Sequence, residues 1–389
     1  MPVSALGVLA ATLLLLAGAA WPSAADAGRA QPVLTISRAI SGGFSADGSR
    51  LAWLQDARPS GASYECFAVY RHSFVTGATV RLTRRRCPLE GGPPVGGFGG
   101  LVLSGPRAFW QESSGGNLSV YWAVYSTARP HGTTRVAEDT VLCSPVAGCT
   151  CSADLGRALG PESGSEGTFV YSTVDLSADP SCIPFPGTEG SAIVADSHIH
   201  RIVAGPSGLH ATVIPNTPGA LLESPPDPSS NDYHPDMLAH RAGRVALVPI
   251  ENGLPPDQPA DRVEIRNATS GALVSELSPP GTIGAIGLSR RFAAVLVEAS
   301  DRHRIIRYAV GTGAQLGSTP VRSNVSSGLD VSDYGIVYNV GSDLMVIPID
   351  TGRARLVHRA VDGGEIEGKR IVWYRTRHGR SQVFQLTLG

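Results

Sequence analysis

Lysine is all but missing from this chain. Among 32 Lys and Arg residues in 389, Lys369 is the only lysine. Charged residues of both signs make up 17% of the sequence, against about 25% in an ordinary globular protein. The formal net charge is -1, and the longest basic run is Arg84-Arg85-Arg86. Recognition of a phosphate backbone needs a concentrated cationic face, so nucleic acid is excluded as an expected partner. Catalytic signatures are missing as well. There is no Gly-x-Ser-x-Gly nucleophile turn; "GPSGL" at Gly205 fails at its last position. There is no His-Glu-x-x-His, no P-loop, and no Gly-x-Gly-x-x-Gly between a strand and a helix. Beyond the N-terminal segment no amphipathic helix of length can be read, which removes the helical and α/β classes.

What is present is turn chemistry. The 46 glycines and 29 prolines are spread between short apolar runs rather than concentrated in tails, which reads as many turns. Apolar residues reach 42%, enough for a sizeable core. The run Ala5–Ala20, "ALGVLAATLLLLAGAA", is short of the roughly 20 residues that span a bilayer. Ala25-Asp26-Ala27 follows it with a small-x-small cleavage pattern. Residues 1–27 therefore read as a signal peptide, although no Lys or Arg precedes the run. The expectation is a protein that is secreted, periplasmic or held at the cell envelope, with no membrane span once the signal is cleaved. A retained N-terminal anchor is the alternative. No cysteine stands near the cleavage site, so no lipid anchor is indicated.

Six cysteines, Cys66, Cys87, Cys143, Cys149, Cys151 and Cys182, fit an oxidising compartment. Cys66 and Cys87 would flank one hairpin. The other four fall in an irregular insertion near 140–190. "CSPVAGCTC" has Cys-x5-Cys-x-Cys spacing rather than the Cys-x2-Cys of zinc sites, so disulfides are preferred to metal.

The segment Arg50–Trp53, "RLAW", recurs. It is followed by "RAFW" at Arg107, "TFVY" at Thr168, "RVAL" at Arg244, "RFAA" at Arg291, "GIVY" at Gly335 and "RIVW" at Arg370. The fourth position holds Trp53, Trp110, Tyr171, Leu247, Ala294, Tyr338 and Trp373, five of them aromatic in a chain with 6% aromatics. Turn-forming stretches precede most copies, and a second and third alternating strand follow. Several strands per unit at this period predict an all-β, seven-bladed β-propeller occupying residues 28–389 as a single domain, with six or eight blades as the margin. The last unit lacks its final strand, and "PVLTISRA" at Pro32–Ala39 is spare, so the N-terminal strand is predicted to close the ring.

The first unit, "FSADGSRLAWLQD", resembles the FSPDG-x-x-[IL]-A-[FW] motif of TolB-like and WD40-like (PD40-type) bacterial propeller repeats. The match falls on Phe44, Ser45, Asp47, Gly48, Leu51, Ala52 and Trp53. The resemblance implies that the Asp-Gly turn leads into the second strand of a blade. It also implies that the aromatics Trp53, Trp110, Tyr171, Tyr338 and Trp373 pack between blades. TolB-type proteins are exported envelope proteins that bind protein partners. This chain shows no α/β domain ahead of its propeller, so the partner does not carry over.

Chemistry has one local candidate. In "ADSHIHR", Asp196, His198 and His200 alternate on one strand face, a set able to take a divalent metal. "NDYHPD" adds Asp232, His234 and Asp236. The plainer reading is a solvated face. Arg84–Arg86 is either an anion patch or a solvated strand end. Together these features predict a non-enzymatic binding module, monomeric, that takes a protein or glycan ligand at a propeller face and has no cofactor beyond that metal. The alternative is a secreted propeller enzyme, a glycan lyase or hydrolase, with its site at the channel mouth. Ionisable groups converging on the channel would favour the enzyme; an apolar rim patch would favour a protein partner.

Overall fold

Short β-branched and aromatic runs between glycine turns become strands, and every regular element among the described residues is one. The structure is a computed structural model that describes residues 30–58, 66–87, 95–116, 119–142, 154–178, 192–205, 208–220, 237–252, 261–298, 302–322, 324–325 and 328–389.

The first strand, β1 (Gln31–Ile36), stands apart from those that follow it. Blade 1 is β2 (Ile40–Asp47), β3 (Arg50–Asp56), β4 (Phe67–Ser73) and β5 (Thr79–Arg81). Blade 2 is β6 (Val95–Ser104), β7 (Arg107–Gly116), β8 (Ser119–Thr127) and β9 (Thr134–Leu142). Blade 3 is β10 (Asp154–Ser165), β11 (Thr168–Ala178), β12 (Ala192–Gly205) and β13 (Gly208–Val213). Blade 4 is β14 (Leu238–Arg241), β15 (Arg244–Leu247), β16 (Val263–Asn267) and β17 (Leu273–Leu277). Blade 5 is β18 (Thr282–Leu288), β19 (Phe292–Glu298), β20 (His303–Ala309) and β21 (Gln315–Val321). Blade 6 is β22 (Asp330–Val331), β23 (Gly335–Val340), β24 (Asp343–Pro348) and β25 (Arg355–His358). Blade 7 is β26 (Gly363–Glu367), β27 (Arg370–Arg377), β28 (Arg380–Thr387) and β1.

The fold is thus a seven-bladed propeller of four-stranded antiparallel blades. β1 pairs with β28, from Gln31 opposite Gln385 to Ile36 opposite Ser381, and closes the ring. The recurring four-residue segments are the second strands. Each is preceded by an inner strand that the three recurring runs leave out. Inner strands crowd the axis, and glycine makes room for them. A Cβ on Gly43 would lie 2.5 Å from Leu101 Cβ of the next blade, and one on Gly287 would lie 2.4 Å from Val331 Cγ2.

The core lies between blades. Trp53 packs with Val372 and Val383 of blade 7. Trp110 packs with Ala52 and Leu54 of blade 1. Tyr171 meets Phe109 and Val124 of blade 2, Tyr338 meets Phe292 and Leu296 of blade 5, and Trp373 meets Val337 and Val346 of blade 6. Each buried ring also faces a partner directly across the third strand. Trp53 stacks on Tyr70 (5.6 Å between centroids), Trp110 on Tyr125 (5.8 Å) and Trp373 on Phe384 (5.7 Å).

The two rims differ. Turns from first to second strand and from third to fourth strand emerge at one rim, and none exceeds six residues. At the opposite rim the connections 57–66, 82–94, 143–153, 179–191, 214–237 and 248–262 each have ten residues or more, and all belong to blades 1–4; the longest elsewhere, 322–329, has eight. Every cysteine falls in one of them. Cys66 and Cys87 form a disulfide between two of these connections. Cys143, Cys149, Cys151 and Cys182 lie outside the described residues. The expected insertion near 140–190 is not one loop, because the hairpin β10–β11 stands inside it as the inner half of blade 3. Among the described residues no helix is long and apolar enough to cross a membrane.

Candidate functional site

The inner strands β2, β6, β10, β14, β18, β22 and β26 surround an axial cavity of about 480 Å³. An innermost strand has no neighbour on its axial edge, so its N–H groups need other acceptors. Side chains of the adjoining blade provide them. Leu103 N–H donates to Ser45 Oγ (3.0 Å) and His240 N–H to Ser163 Oγ (2.9 Å). Ile366 N–H donates to the Asp330 carboxylate, and Ala46 N–H to that of Glu365. Polar residues in glycine-rich inner strands thus act as clasps between blades.

One step further along, the residue before each tight turn is polar in all seven blades: Asp47, Ser104, Ser165, Arg241, Ser289, Ser332 and Glu367. Two ion pairs there join blades that are not neighbours. Arg241 Nη2 of blade 4 bonds both Glu367 oxygens of blade 7 (2.9 and 2.7 Å), crossing the axis. Arg290 Nη2 of blade 5 reaches Glu166 Oε1 of blade 3 (2.7 Å). Asp47 of blade 1 accepts from Gly105 N–H and from Glu166 N–H (3.2 Å). The turn-side end of the channel is therefore bridged.

The cavity wall is acidic. Glu162, Asp330, Asp362, Glu365 and Glu367 line it, and Arg241 is the one cation among the described lining residues. Burial pushes the Asp330 carboxyl up to about 6, against the bond from Ile366 and the nearby Arg241. Burial, reinforced by Asp330, raises Glu365 well above the usual carboxylate range. Glu162 is raised well above it by burial alone, and neither of its oxygens has a hydrogen-bond partner. Its carboxyl occupies the space over Gly100, where a Cβ would come within 1.6 Å of Oε1. His240 Nδ1 lies 3.1 Å from Ser165 Oγ, and burial holds this imidazole down at about 4, so it is neutral. This wall can accept hydrogen bonds or positive charge. Most of its carboxyls are already engaged with backbone or arginine.

No family model and no curated protein matches the chain. Its likenesses are of architecture alone. The β-propeller domain of the Trilobed protease from Pyrococcus furiosus aligns over 91% of this chain and 96% of its own, with TM-score 0.48 and 7% identity. Saccharomyces cerevisiae Sqt1 aligns over 93% and 99%, with TM-score 0.43 and 8% identity. A chain of the mitotic checkpoint complex aligns over 100% and 99%, with TM-score 0.46 and 12% identity.

The metal expected at Asp196, His198 and His200 finds no cage. Asp196 Oδ2 and His198 Nε2 meet at 3.1 Å. His200 turns to other work: its Nε2 bonds Thr173 Oγ1 (2.8 Å) and its ring stacks on Tyr171 (4.8 Å). Tyr171 and His200 are directly paired across strands, as Trp53 and Tyr70 are in blade 1. His200 therefore holds the aromatic-partner position of the repeat. Among the described residues no group of three His, Cys, Asp or Glu side chains is placed to hold a metal ion. Asp232, His234 and Asp236 lie outside the described residues. The axial carboxyls are hard to read from the sequence because they stand far apart in the chain, Glu162 in blade 3, Asp330 in blade 6 and Glu365 and Glu367 in blade 7. Aligning the seven turns and reading back two residues would have found Ser45, Ser163, Asp330 and Glu365.

Proposed function

We propose that this chain is an exported, non-enzymatic propeller binding module, TolB-like in its use of the fold, that works at the cell envelope or outside the cell. Its ligand is a protein or glycan held at the rim of blades 1–4. One observation carries the reading: every connection of ten residues or more falls among blades 1–4, and in the sequence all six cysteines fall in those connections, whereas the opposite rim is tight turns with ion pairs across the axis. Long connections on a rigid scaffold are where recognition usually sits. The ionisable groups on the axis, which would favour an enzyme, are mostly clasps between blades.

Site-specific photo-crosslinking tests the reading. A crosslinker at Asp261, which is exposed on the long-connection rim, is expected to capture envelope material. One at Thr351, on the turn rim, is expected to capture none. Equal capture from both positions, or from neither, would sink the proposal. The export component predicts that the protein recovered from the producing cell begins at Gly28. The lyase or hydrolase reading retains one foothold, the unpartnered Glu162. If a glycan-cleaving activity is found and Glu162→Gln abolishes it without unfolding the chain, that reading replaces this one.

A further inference from the structure

A second cavity, away from the axis, has the opposite charge. It holds about 280 Å³ and is lined by Thr83, Arg84, Arg85, Arg86, His131 and Thr133. That is near the lower edge of the ~300–1,000 Å³ typical of ligand pockets. Among the described residues, no acidic side chain lines it.

The pocket is built by a fault in the outer edge of blade 1. Leu82 N–H donates to Val69 O (2.8 Å), continuing the register of β5 with β4. Four residues on, Arg86 exchanges both backbone bonds with Phe67 (2.8 Å each). The register has stepped by two residues, so Thr83, Arg84 and Arg85 all stand opposite Ala68. A bulge of this kind re-aims side chains and is seldom accidental. Here it throws two adjacent arginines outward. Thr83 is buried, and its Oγ1 accepts from Val69 N–H (2.9 Å), which leaves its own proton to donate. The far wall comes from blade 2. His131 has left-handed backbone (φ 60°), and its N–H is tied to Leu82 O (2.8 Å). The Cys66–Cys87 disulfide fixes the end of the bulged segment.

The neighbouring cation is already spent. Arg86 bonds the Glu112 carboxylate through Nε and through Nη2 (2.8 Å) and lies over the Tyr125 ring at 4.3 Å. Among the described residues, Arg84 and Arg85 have no such partner. Two adjacent guanidinium groups on a pinned bulge, with threonine hydroxyls and an imidazole beside them, call for a counter-anion with several acceptor oxygens.

We propose that this bulge pocket binds an oxyanion, a phosphate or sulfate group, with Arg84 and Arg85 as its principal ligands and Thr83, His131 and Thr133 around it. Arg84 and Arg85 belong to the 82–94 connection of the rim proposed above, but anion binding and capture of a rim ligand are measured separately, so either can fail without the other.

Calorimetric titration of the purified chain with inorganic phosphate and with inorganic sulfate tests this, at an ionic strength held constant with sodium chloride. Saturable binding of at least one ion is expected. Arg84→Ala with Arg85→Ala should weaken it by about tenfold or more, since each charge-assisted hydrogen bond carries roughly that factor. Both arginines are exposed, so the double variant should keep the wild-type melting temperature and the intact disulfide. Thr133→Val should weaken binding about threefold, a change that diffuse charge attraction would not give. A sulfated monosaccharide that binds more tightly than free sulfate would identify the source as a group carried on sugar; equal affinity would identify the free ion. The proposal is overturned if the wild type binds neither ion, if the double variant binds as well as the wild type, or if Thr133→Val leaves the affinity unmoved.

Discussion

Trp53, Trp110 and Trp373 occupy one position in three blades, but their indole N–H groups fare differently. Trp53 Nε1 reaches Gln55 Oε1 (3.4 Å) and Trp110 Nε1 reaches Glu112 Oε1 (2.9 Å), in each case the residue two further along the strand. At the equivalent place after Trp373 stands Arg375, a pure donor, and Trp373 Nε1 is buried without a partner. Arg375→Gln should therefore raise stability by about 1 kcal/mol, because it supplies the missing acceptor. Urea denaturation checks this; a loss of stability would show that the Arg375 guanidinium over Phe384, at 5.1 Å, matters more. Trp373→Ala should lose about 3–5 kcal/mol. His200 yields a pH prediction at the same scale. Burial holds its folded pKa at about 4, below the unfolded value of about 6.5. Its contribution is complete above that unfolded value and is lost as pH falls through the folded one. His200→Phe should keep the stack on Tyr171 and reduce the loss of stability on acidification from pH 6.5 to 4. An unchanged acid limb would mean that His200 does not stay neutral in the folded chain.

Among the elements, second strands were legible and inner strands were not. Second strands such as β3 and β27 are sandwiched between blades, so they read as short apolar runs ending in an aromatic. Inner strands such as β2, "ISGGFSAD", and β26, "GGEIE", are glycine-rich and end in polar residues. By strand propensity they resemble loops. Their strand character comes from the blade beside them and from the space at the axis. This also explains why "ADSHIHR" stands out in the sequence and the axial carboxyls do not: two histidines close in sequence are visible, and carboxyls spread over blades 3, 6 and 7 are not. The crowding can be measured. Gly287→Ala would set a Cβ 2.6 Å from the backbone oxygen of Leu329 as well as against Val331. It should cost about 1–3 kcal/mol. Gly311→Ala, with nothing within 4 Å, is the control and should be close to neutral. Equal effects at the two positions would mean that the inner strands are looser than described.

For the molecule as a whole, the buried carboxyls set the alkaline side of stability. Glu162, Asp330 and Glu365 are all raised by burial in the folded chain. A raised carboxyl keeps its proton when folded and gives it up when unfolded, so stability falls as pH rises from about 4 through each folded value. Above pH 6.5 the buried histidines no longer contribute to the slope. The fall in melting temperature as pH rises above the unfolded carboxylate value should be flatter in Glu162→Gln. An identical slope would place the effect elsewhere. Ring closure is the other property of the whole. A chain beginning at Arg38 lacks β1 and leaves the β28 edge unpaired. It should self-associate through that edge and elute as a dimer or larger species on size exclusion with light scattering. A stable monomer would show that the seam is dispensable.

The pairing of β1 with β28 also has a consequence in time. Gln31 leaves the ribosome before its partner Gln385, with six blades of chain made between them. Those six blades can form as they emerge, but the seventh cannot, because its outer strand precedes them and its other three follow. Until β28 emerges, the ring has a free edge at β1 that local contacts cannot satisfy. The slow step of maturation should accordingly be this final, most distant pairing.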